Sequence, residues 1–338
     1  MTPTSEVNDM LNWLESAWRQ INQVRVQGRL PHGLMLVGPD GVGKGVFATQ
    51  LAYSLLCEAP LADGQPCGRC AACAWLKAGT HPDLLQLTPE EAGKAIKVDQ
   101  IRALCTELGM TSHAGGHKVA IIQPADAMNS NAANSLLKTL EEPTRDTVLI
   151  LLTALPGKLP ATIRSRCQQL RLVPPQLSIA QRWLESSGVP MDIATRCLQM
   201  TGGAPLKALE LAGSDLLELR EQRLEELCEV FCGQLDPVPL AAQWMGKQES
   251  QTLHWWLRWL RDLVSWQIAG RQPAEANVVH KLQKISESVD SRQICRLADA
   301  VTRALNSIGS GLNRQLILED LLISWADMGE NGNRAGNG

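Results

Sequence analysis

The chain has 338 residues, of which 44% are apolar and 20% charged, which excludes disordered, collagen-like and fibrous proteins and allows two or three globular domains. Its formal net charge of −3 argues against a stand-alone DNA-binding protein, because such proteins need a dense basic face. The first eleven residues lack a signal-peptide pattern and no segment approaches the ~20 apolar residues of a membrane span, so we expect a cytoplasmic protein without a membrane partner.

Short apolar runs alternate with helical patterns in the first half of the chain, which is typical of a parallel sheet covered by helices. Strands are predicted at residues 34–37, 84–87, 119–122, 148–153 and 169–173. Pro174 and Pro175 then interrupt the chain, and only helical periodicity follows. We predict an α/β domain and two helical domains, followed by a disordered tail, over residues 1–174, 175–213, 214–330 and 331–338.

The first predicted strand runs into residues 38–45, which read GPDGVGKG, close to the phosphate-binding pattern G-x-x-x-x-G-K-[ST]. In such a loop Gly38, Gly41 and Gly43 turn backbone N–H groups toward phosphate, and Lys44 reaches the outer phosphates. The last position departs from the pattern, because Gly45 has no hydroxyl to place on Mg²⁺.

Hydrolysis of ATP also requires acidic residues at the end of a neighbouring strand. The third predicted strand ends in Gln123 and Pro124, neither of which is a base or a tight Mg²⁺ ligand. Asp126 is a poor substitute, because the proline turns the chain before it. We therefore expect no hydrolysis. Whether the loop still binds ATP or ADP, or is a structural remnant, stays open.

Four cysteines are clustered in the pattern C-x9-C-x2-C-x2-C: Cys57, Cys67, Cys70 and Cys73. In a reducing cytoplasm disulfides are disfavoured, and two overlapping C-x2-C steps let several thiolates reach one tetrahedral ion. The spacing predicts a closed, structural Zn²⁺ site in an inserted module over residues 57–73. Four buried but unligated cysteines would explain the clustering less well.

A tryptophan-rich pattern in the last predicted domain indicates a long amphipathic helix. Trp255, Trp256, Trp259, Leu263 and Trp266 fall on one broad helical stripe. Such a stripe is more often used for core or subunit packing than for stacking on bases.

The phosphate loop and cysteine module occur together with residues 134–143, NSLLKTLEEP, and 159–167, LPATIRSRC. Over most of residues 20–215 these motifs closely resemble subunits of the bacterial DNA polymerase III clamp loader, which include ATP-hydrolysing gamma/tau subunits and delta-prime subunits. Gly45 and Gln123-Pro124 stand where gamma/tau carries Thr and Asp-Glu, and Leu206 stands where a sensor arginine would. The resemblance therefore favours the delta-prime type, with an active gamma/tau-type ATPase as the alternative.

The resemblance implies an AAA+ fold, in which a P-loop sheet domain is followed by a small helical lid and a helical collar. It implies gamma/tau and delta subunits as partners in a hetero-pentamer, which opens the sliding clamp and places it on primer-template DNA. In that family the arginine matching Arg166, next to Ser165, reaches into the neighbour's ATP site as an arginine finger. Without the surrounding motif, a surface or salt-bridged arginine would be the commoner interpretation.

Overall fold

The structure is a computed structural model and describes residues 11–335 except Ala92, Lys247, Ala274 and residues 309–311. Most of the segment searched above for a signal peptide, residues 1–10, lies outside the described part. The chain divides into two compact units. The first runs to Ala194 and takes in Met200–Leu209, and the second consists of Thr195–Gln199 and the chain from Glu210 onward. The predicted boundaries after residues 174 and 213 remain predictions.

A five-stranded parallel sheet forms the centre of the first unit, and its order is β2-β3-β4-β1-β5. The strands are β1 (Gly33–Val37), β2 (Leu84–Leu87), β3 (Lys118–Ile122), β4 (Thr147–Thr153) and β5 (Gln168–Arg171). The predicted α/β class and all five predicted strands are confirmed. The last strand ends earlier than predicted, because its ladder stops where Arg171 pairs with Val37, the last residue of β1.

Helices cover both faces of this sheet. They are α1 (Glu15–Val26), α2 (Lys44–Leu56), α3 (Ala71–Ala78), α4 (Val98–Leu108), α5 (Ser130–Glu141) and α6 (Ala161–Arg164), and α7 (Leu177–Ser186) follows β5 along the chain. Side chains alternate along a strand, so Leu34 and Leu36 of β1 belong to one core with Phe47 of α2, whereas Met35 belongs to a second core with Leu136 of α5. Two further helices, α8 (Met191–Met200) and α9 (Pro205–Ala212), contribute residues to both units.

Parallel pairing gives the sheet two chemically different edges. The loop after β1, Gln123 after β3 and the segment after Thr153 of β4 all lie at the carboxyl edge. Residues 165–167 precede β5 and lie at the amino edge. Since a strand rises about 3.3 Å per residue, β1 alone separates the two edges by roughly 13 Å.

The second unit is helical in its described residues. Its helices are α10 (Leu216–Phe231), α11 (Pro237–Trp244), α12 (Glu249–Ala269), α13 (Ala276–Ser288), α14 (Ser291–Asn306) and α15 (Arg314–Ala335). Trp256 and Trp259 of α12 are each 1% exposed, and Trp256 meets Trp325 of α15 edge to face at 6.2 Å between ring centroids. The tryptophan stripe therefore packs in a core, as predicted.

The predicted disordered tail, residues 331–338, overlaps the last helix, since α15 continues to Ala335. Leu322, Trp325 and Met328 bury one side of α15 in the core of the second unit. The last residues of that predicted tail, 336–338, lie outside the described part. Among the helices that the structure describes, none has the length and apolarity that crossing a bilayer requires.

Candidate functional site: the phosphate-type loop, the cysteine cluster and Arg166

The loop between β1 and α2 depends on glycine because other parts of the chain press against it. Gly43 caps α2 with φ 104°, and a Cβ there would lie 2.7 Å from Leu11 Cδ1. Gly41 has φ 81°, and its Cβ would lie 2.4 Å from Lys207 Cβ of α9. L-residues other than glycine rarely adopt such backbone angles. Positive φ therefore favours glycine at both positions, and at Gly41 the backbone of Lys207, whose N would lie 2.6 Å from the added Cβ, leaves no room for a side chain.

Lys44 is held by oxygen atoms of its own loop. Its Nζ donates to the carbonyl oxygens of Gly38 at 2.8 Å and Pro39 at 3.0 Å, and to Asp40 Oδ1 at 3.0 Å. The side chain is only 8% exposed. An ammonium group has three N–H donors, so every donor of Lys44 is engaged. The charge that would meet a phosphate is neutralised within the loop.

A cavity of about 390 Å³ opens beside this loop at the carboxyl edge of the sheet. Its wall contains Asp40, Lys44, Gly45, Gln123, Asp126 and Leu206. Leu206 reaches this wall because its backbone N–H donates to the carbonyl of Gly41 at 3.0 Å. The fold thus brings together the motif residues Lys44, Gly45, Gln123 and Leu206, and a leucine at this place supplies no charge for a terminal phosphate.

Gln123 fills the space beside Gly45. A Cβ built on Gly45 would lie 3.3 Å from Gln123 Oε1, so the carboxamide lies against the place that the side chain of a phosphate-loop Ser or Thr would take. Gln123 is fixed there by its backbone, since its N–H donates to Leu87 O at 3.0 Å. Gly45 and Gln123, the two departures from the magnesium-binding pattern, are therefore adjacent in space. The Gln123 side chain lies in room that a Ser or Thr side chain at position 45 would need.

Asp126 lines the cavity, although the proline before it predicted that the chain would turn away. Its Oδ1 accepts a hydrogen bond from Thr153 Oγ1 at 2.5 Å, and Thr153 is fully buried at the end of β4. The prediction expected the turn at Pro124 to carry Asp126 away, whereas Ala125–Ala127 forms a short 3-10 helix that keeps the carboxylate at the cavity. A signal was present in the sequence, because Asp126 follows β3 and Thr153 ends the neighbouring strand β4.

The four predicted zinc ligands converge. Cys57, Cys67, Cys70 and Cys73 place their sulfur atoms within 4.8 Å of one another. The Sγ atoms of Cys57 and Cys70 are 3.8 Å apart, and those of Cys67 and Cys73 are 4.0 Å apart. Tetrahedral Zn–S bonds of about 2.3 Å require sulfur separations of about 3.8 Å. The cluster therefore fits a four-sulfur zinc site.

Backbone groups support the sulfur atoms. The N–H of Cys67 points to Cys57 Sγ at 3.3 Å, and the N–H of Cys73 to Cys70 Sγ at 3.4 Å, where Cys70 caps α3. The backbone N–H of Arg69 lowers the pKa of Cys67 to about 6, while burial raises the pKa of Cys57 and Cys73. Such contacts resemble the outer hydrogen bonds that orient ligands in metal sites.

Arg166 lies at the opposite edge of the sheet from the phosphate-type loop. Its Nη2 is 2.5 Å from Glu141 Oε1, its Nη1 donates to Thr162 O at 3.0 Å, and Ser165 Oγ lies 3.5 Å from Nη1. The side chain is 36% exposed, whereas the following residue, Cys167, is buried, which raises the pKa of its thiol to about 11. Arg166 is therefore partly accessible and does not line the cavity of its own chain.

Two family models match the chain. One, described as DNA polymerase III, delta subunit, matches residues 13–176, and another, described as DNA polymerase III, delta subunit, C terminal, matches residues 214–327. Among solved structures, a DNA polymerase III gamma subunit-related protein from Thermotoga maritima is 19% identical, with a TM-score of 0.45, and the alignment covers 94% of this chain and 100% of that one.

Curated relatives match along nearly the whole chain. DNA polymerase III subunit delta' of Pseudomonas aeruginosa is 35% identical over 95% of this chain and 98% of its own length, and that of Escherichia coli is 30% identical over 92% and 93%. The tau subunit of Escherichia coli is 37% identical over 43% of this chain and 22% of its own length. The chain therefore belongs to the delta-prime subunit family of DNA polymerase III.

Proposed function

We propose that the chain is a non-hydrolysing AAA+ subunit of the DNA polymerase III clamp loader, working in the cytoplasm. Its partners are gamma/tau and delta subunits in a hetero-pentamer that places the sliding clamp on primer-template DNA, and DNA is contacted mainly through the assembly. Relatives with full-length matches carry the delta-prime name, and the net charge of −3 suits a protein whose contact with DNA is shared.

The cavity beside the phosphate-type loop carries the proposal that this subunit does not hydrolyse ATP. A working site needs a hydroxyl and a carboxylate on Mg²⁺ and a base for the attacking water. Here Gly45 and Gln123 occupy the corresponding places, Lys44 is tied to Asp40, and the carboxylate of Asp126 accepts from Thr153. One engaged carboxylate does not replace an acidic pair.

Two measurements test this function. The purified chain with Mg²⁺-ATP is expected to release no phosphate above a protein-free blank, and mixing it with gamma/tau and delta subunits of its own organism should give one pentamer by light scattering. If the isolated chain releases phosphate and Lys44→Ala abolishes that release, the chain is instead an active ATPase of the gamma/tau type. If no pentamer forms, the proposed assembly is wrong.

Arg166 is proposed to act in trans, as an arginine finger for the adjacent ATPase subunit, with Ser165 beside it. Support comes from its position, since it lies at the edge of the sheet away from its own cavity, 36% exposed. A guanidinium placed at a transferred phosphoryl group stabilises the charge of the transition state, which is worth ~10³ to 10⁵ in rate in GTPases. A chain that lacks its own catalytic groups can therefore still carry one for its neighbour.

The cysteine cluster is proposed to hold structural Zn²⁺. Four thiolates would close the coordination shell, and the ion would join the end of α2 to α3. Purified protein is expected to contain one zinc per chain and to lose it together with the fold of the module in a strong chelator, since zinc-finger peptides bind their metal with about 10–16 kcal/mol. Metal-free protein with four freely alkylated thiols would contradict this assignment.

A further inference from the structure

The carboxyl end of α5 carries a charge that the helix itself disfavours. Glu141 is the last residue of α5 and Glu142 is its C-cap. The carboxyl end of a helix has a partial negative charge, so acidic residues there are destabilising unless a cation compensates them. A basic residue at position 141 would suit the helix better. An explanation for Glu141 is therefore better sought in its partner than in its helix.

That partner is Arg166, which is held from two sides. Glu141 Oε1 lies 2.5 Å from Nη2, and the carbonyl of Thr162 in α6 accepts from Nη1 at 3.0 Å. A guanidinium has five N–H donors. These contacts, together with Ser165 Oγ at 3.5 Å from Nη1, restrain the group through both of its Nη atoms. The side chain is 36% exposed, so part of it remains accessible.

We infer that Glu141 is a positioning residue for Arg166, an inference that rests on the proposed action of Arg166 in trans. A free arginine side chain samples many rotamers, and ordering it at the moment of reaction raises the barrier. Glu141 and the Thr162 carbonyl order the guanidinium before the neighbour's triphosphate arrives. The remaining N–H donors then meet phosphate oxygens without a search through rotamers.

Two other roles for the pair lead to different measurable results. If Glu141 were a competing anion that withholds Arg166 from the neighbour, its removal would raise turnover. If the contact were an ordinary surface ion pair, its removal would change nothing, because exposed pairs contribute little to stability. Among these three roles, only positioning predicts that removal of Glu141 lowers the rate constant of the chemical step.

The test uses the reconstituted pentamer in which only the adjacent gamma/tau subunit retains its own phosphate-loop lysine. Steady-state ATP hydrolysis is measured with DNA present for the wild type and for Glu141→Gln, Glu141→Ala, Arg166→Ala and Arg166→Ala/Glu141→Gln. Glu142→Gln is the matched control, because Glu142 is a neighbouring exposed acid at the same helix end. Pentamer formation is checked for each variant by size.

We expect Glu141→Gln and Glu141→Ala to lower kcat about 3- to 10-fold at unchanged KM for ATP, with no effect of Glu142→Gln. In the Arg166→Ala background Glu141→Gln should have no further effect, since the two residues act as one unit. Turnover that rises, or that is unchanged in both Glu141 variants, overturns the positioning role. If Arg166→Ala itself leaves turnover unchanged, the finger proposal fails, which is a separate result.

Discussion

The two edges of the sheet each carry a cation paired with a carboxylate of its own chain, but the two cations differ in accessibility. Lys44, at the carboxyl edge, is 8% exposed, and its three N–H donors form hydrogen bonds with oxygen atoms of its own loop. Arg166, at the amino edge, is 36% exposed and is held through two of its nitrogen atoms. Lys44 is thus buried against its own loop, whereas part of the Arg166 side chain stays accessible. Under the proposed function we therefore expect Arg166 to act on a neighbouring subunit and Lys44 to contribute nothing to hydrolysis.

The largest effect is expected when each cation is removed in turn from the assembled complex. With the adjacent gamma/tau subunit as the only intact ATPase, Arg166→Ala should lower turnover by about 10²-fold or more, because an arginine finger stabilises the transition state. Lys44→Ala should leave turnover unchanged. Arg164→Ala is the control, since Arg164 is an exposed cation two residues earlier. Equal losses in Lys44→Ala and Arg166→Ala would mean that the cavity is itself an active site.

A second test concerns the packing of α9 against the phosphate-type loop at the carboxyl edge. Gly41→Ala should destabilise the first unit by about 2–4 kcal/mol, because φ is 81° and the added Cβ would lie 2.4 Å from Lys207 Cβ. A drop of several degrees in melting temperature checks this. Gly157→Ala is the matched control, since nothing lies within 4 Å of its Cβ. A melting temperature equal to that of the wild type would show that α9 does not press on the loop.

A third test concerns the amino edge, where Asp83 is fully buried before β2. Burial alone would raise the pKa of Asp83, but the N–H groups of His113 and Ala114 and the hydroxyl of Ser112 outweigh it and lower the pKa. The ionised carboxylate therefore stabilises the fold at pH values above its unfolded pKa, about 3.9. That stabilisation is lost as the pH falls through the lower folded pKa.

Asp83→Asn should accordingly cost about 1–3 kcal/mol at neutral pH, and its difference from the wild type should shrink as the pH falls below about 3.9. Thermal melts of both proteins at several pH values measure this. Asp99→Asn is the control, because Asp99 is 83% exposed. A difference that stays constant down to pH 3 would show that the charge of Asp83 is not what stabilises the edge.

The smallest expected effect is on nucleotide affinity, which the sequence leaves open. Asp40→Asn removes the charge that neutralises Lys44, so binding of ATP should strengthen about 3- to 10-fold, as measured by calorimetric titration. The gain should vanish in Asp40→Asn/Lys44→Ala. If Asp40→Asn binds ATP no better than the wild type, the pair is not what limits phosphate binding.

Most of the fold could be predicted from the sequence, because it follows from local pattern. Short apolar runs bounded by turns gave the five strands, and the tryptophan stripe gave a buried helix. The end of β5 and the length of α15 were misjudged, since the first depends on where β1 stops and the second on core contacts of Trp325. The last residue of a strand or helix thus depends on the strand or core that it packs against and not on its own sequence alone.

The groups available at the site can be read from the sequence: four thiols at metal-binding spacing, a lysine without a hydroxyl beside it, and no acid directly after β3. The contacts that these groups make could be seen only in the folded chain. Lys44 Nζ donates to Asp40, Asp126 accepts a hydrogen bond from Thr153, and Arg166 forms an ion pair with Glu141. The physical reason is that hydrogen bonds and ion pairs act over about 3 Å, and the order and direction of strands set which distant residues come that close.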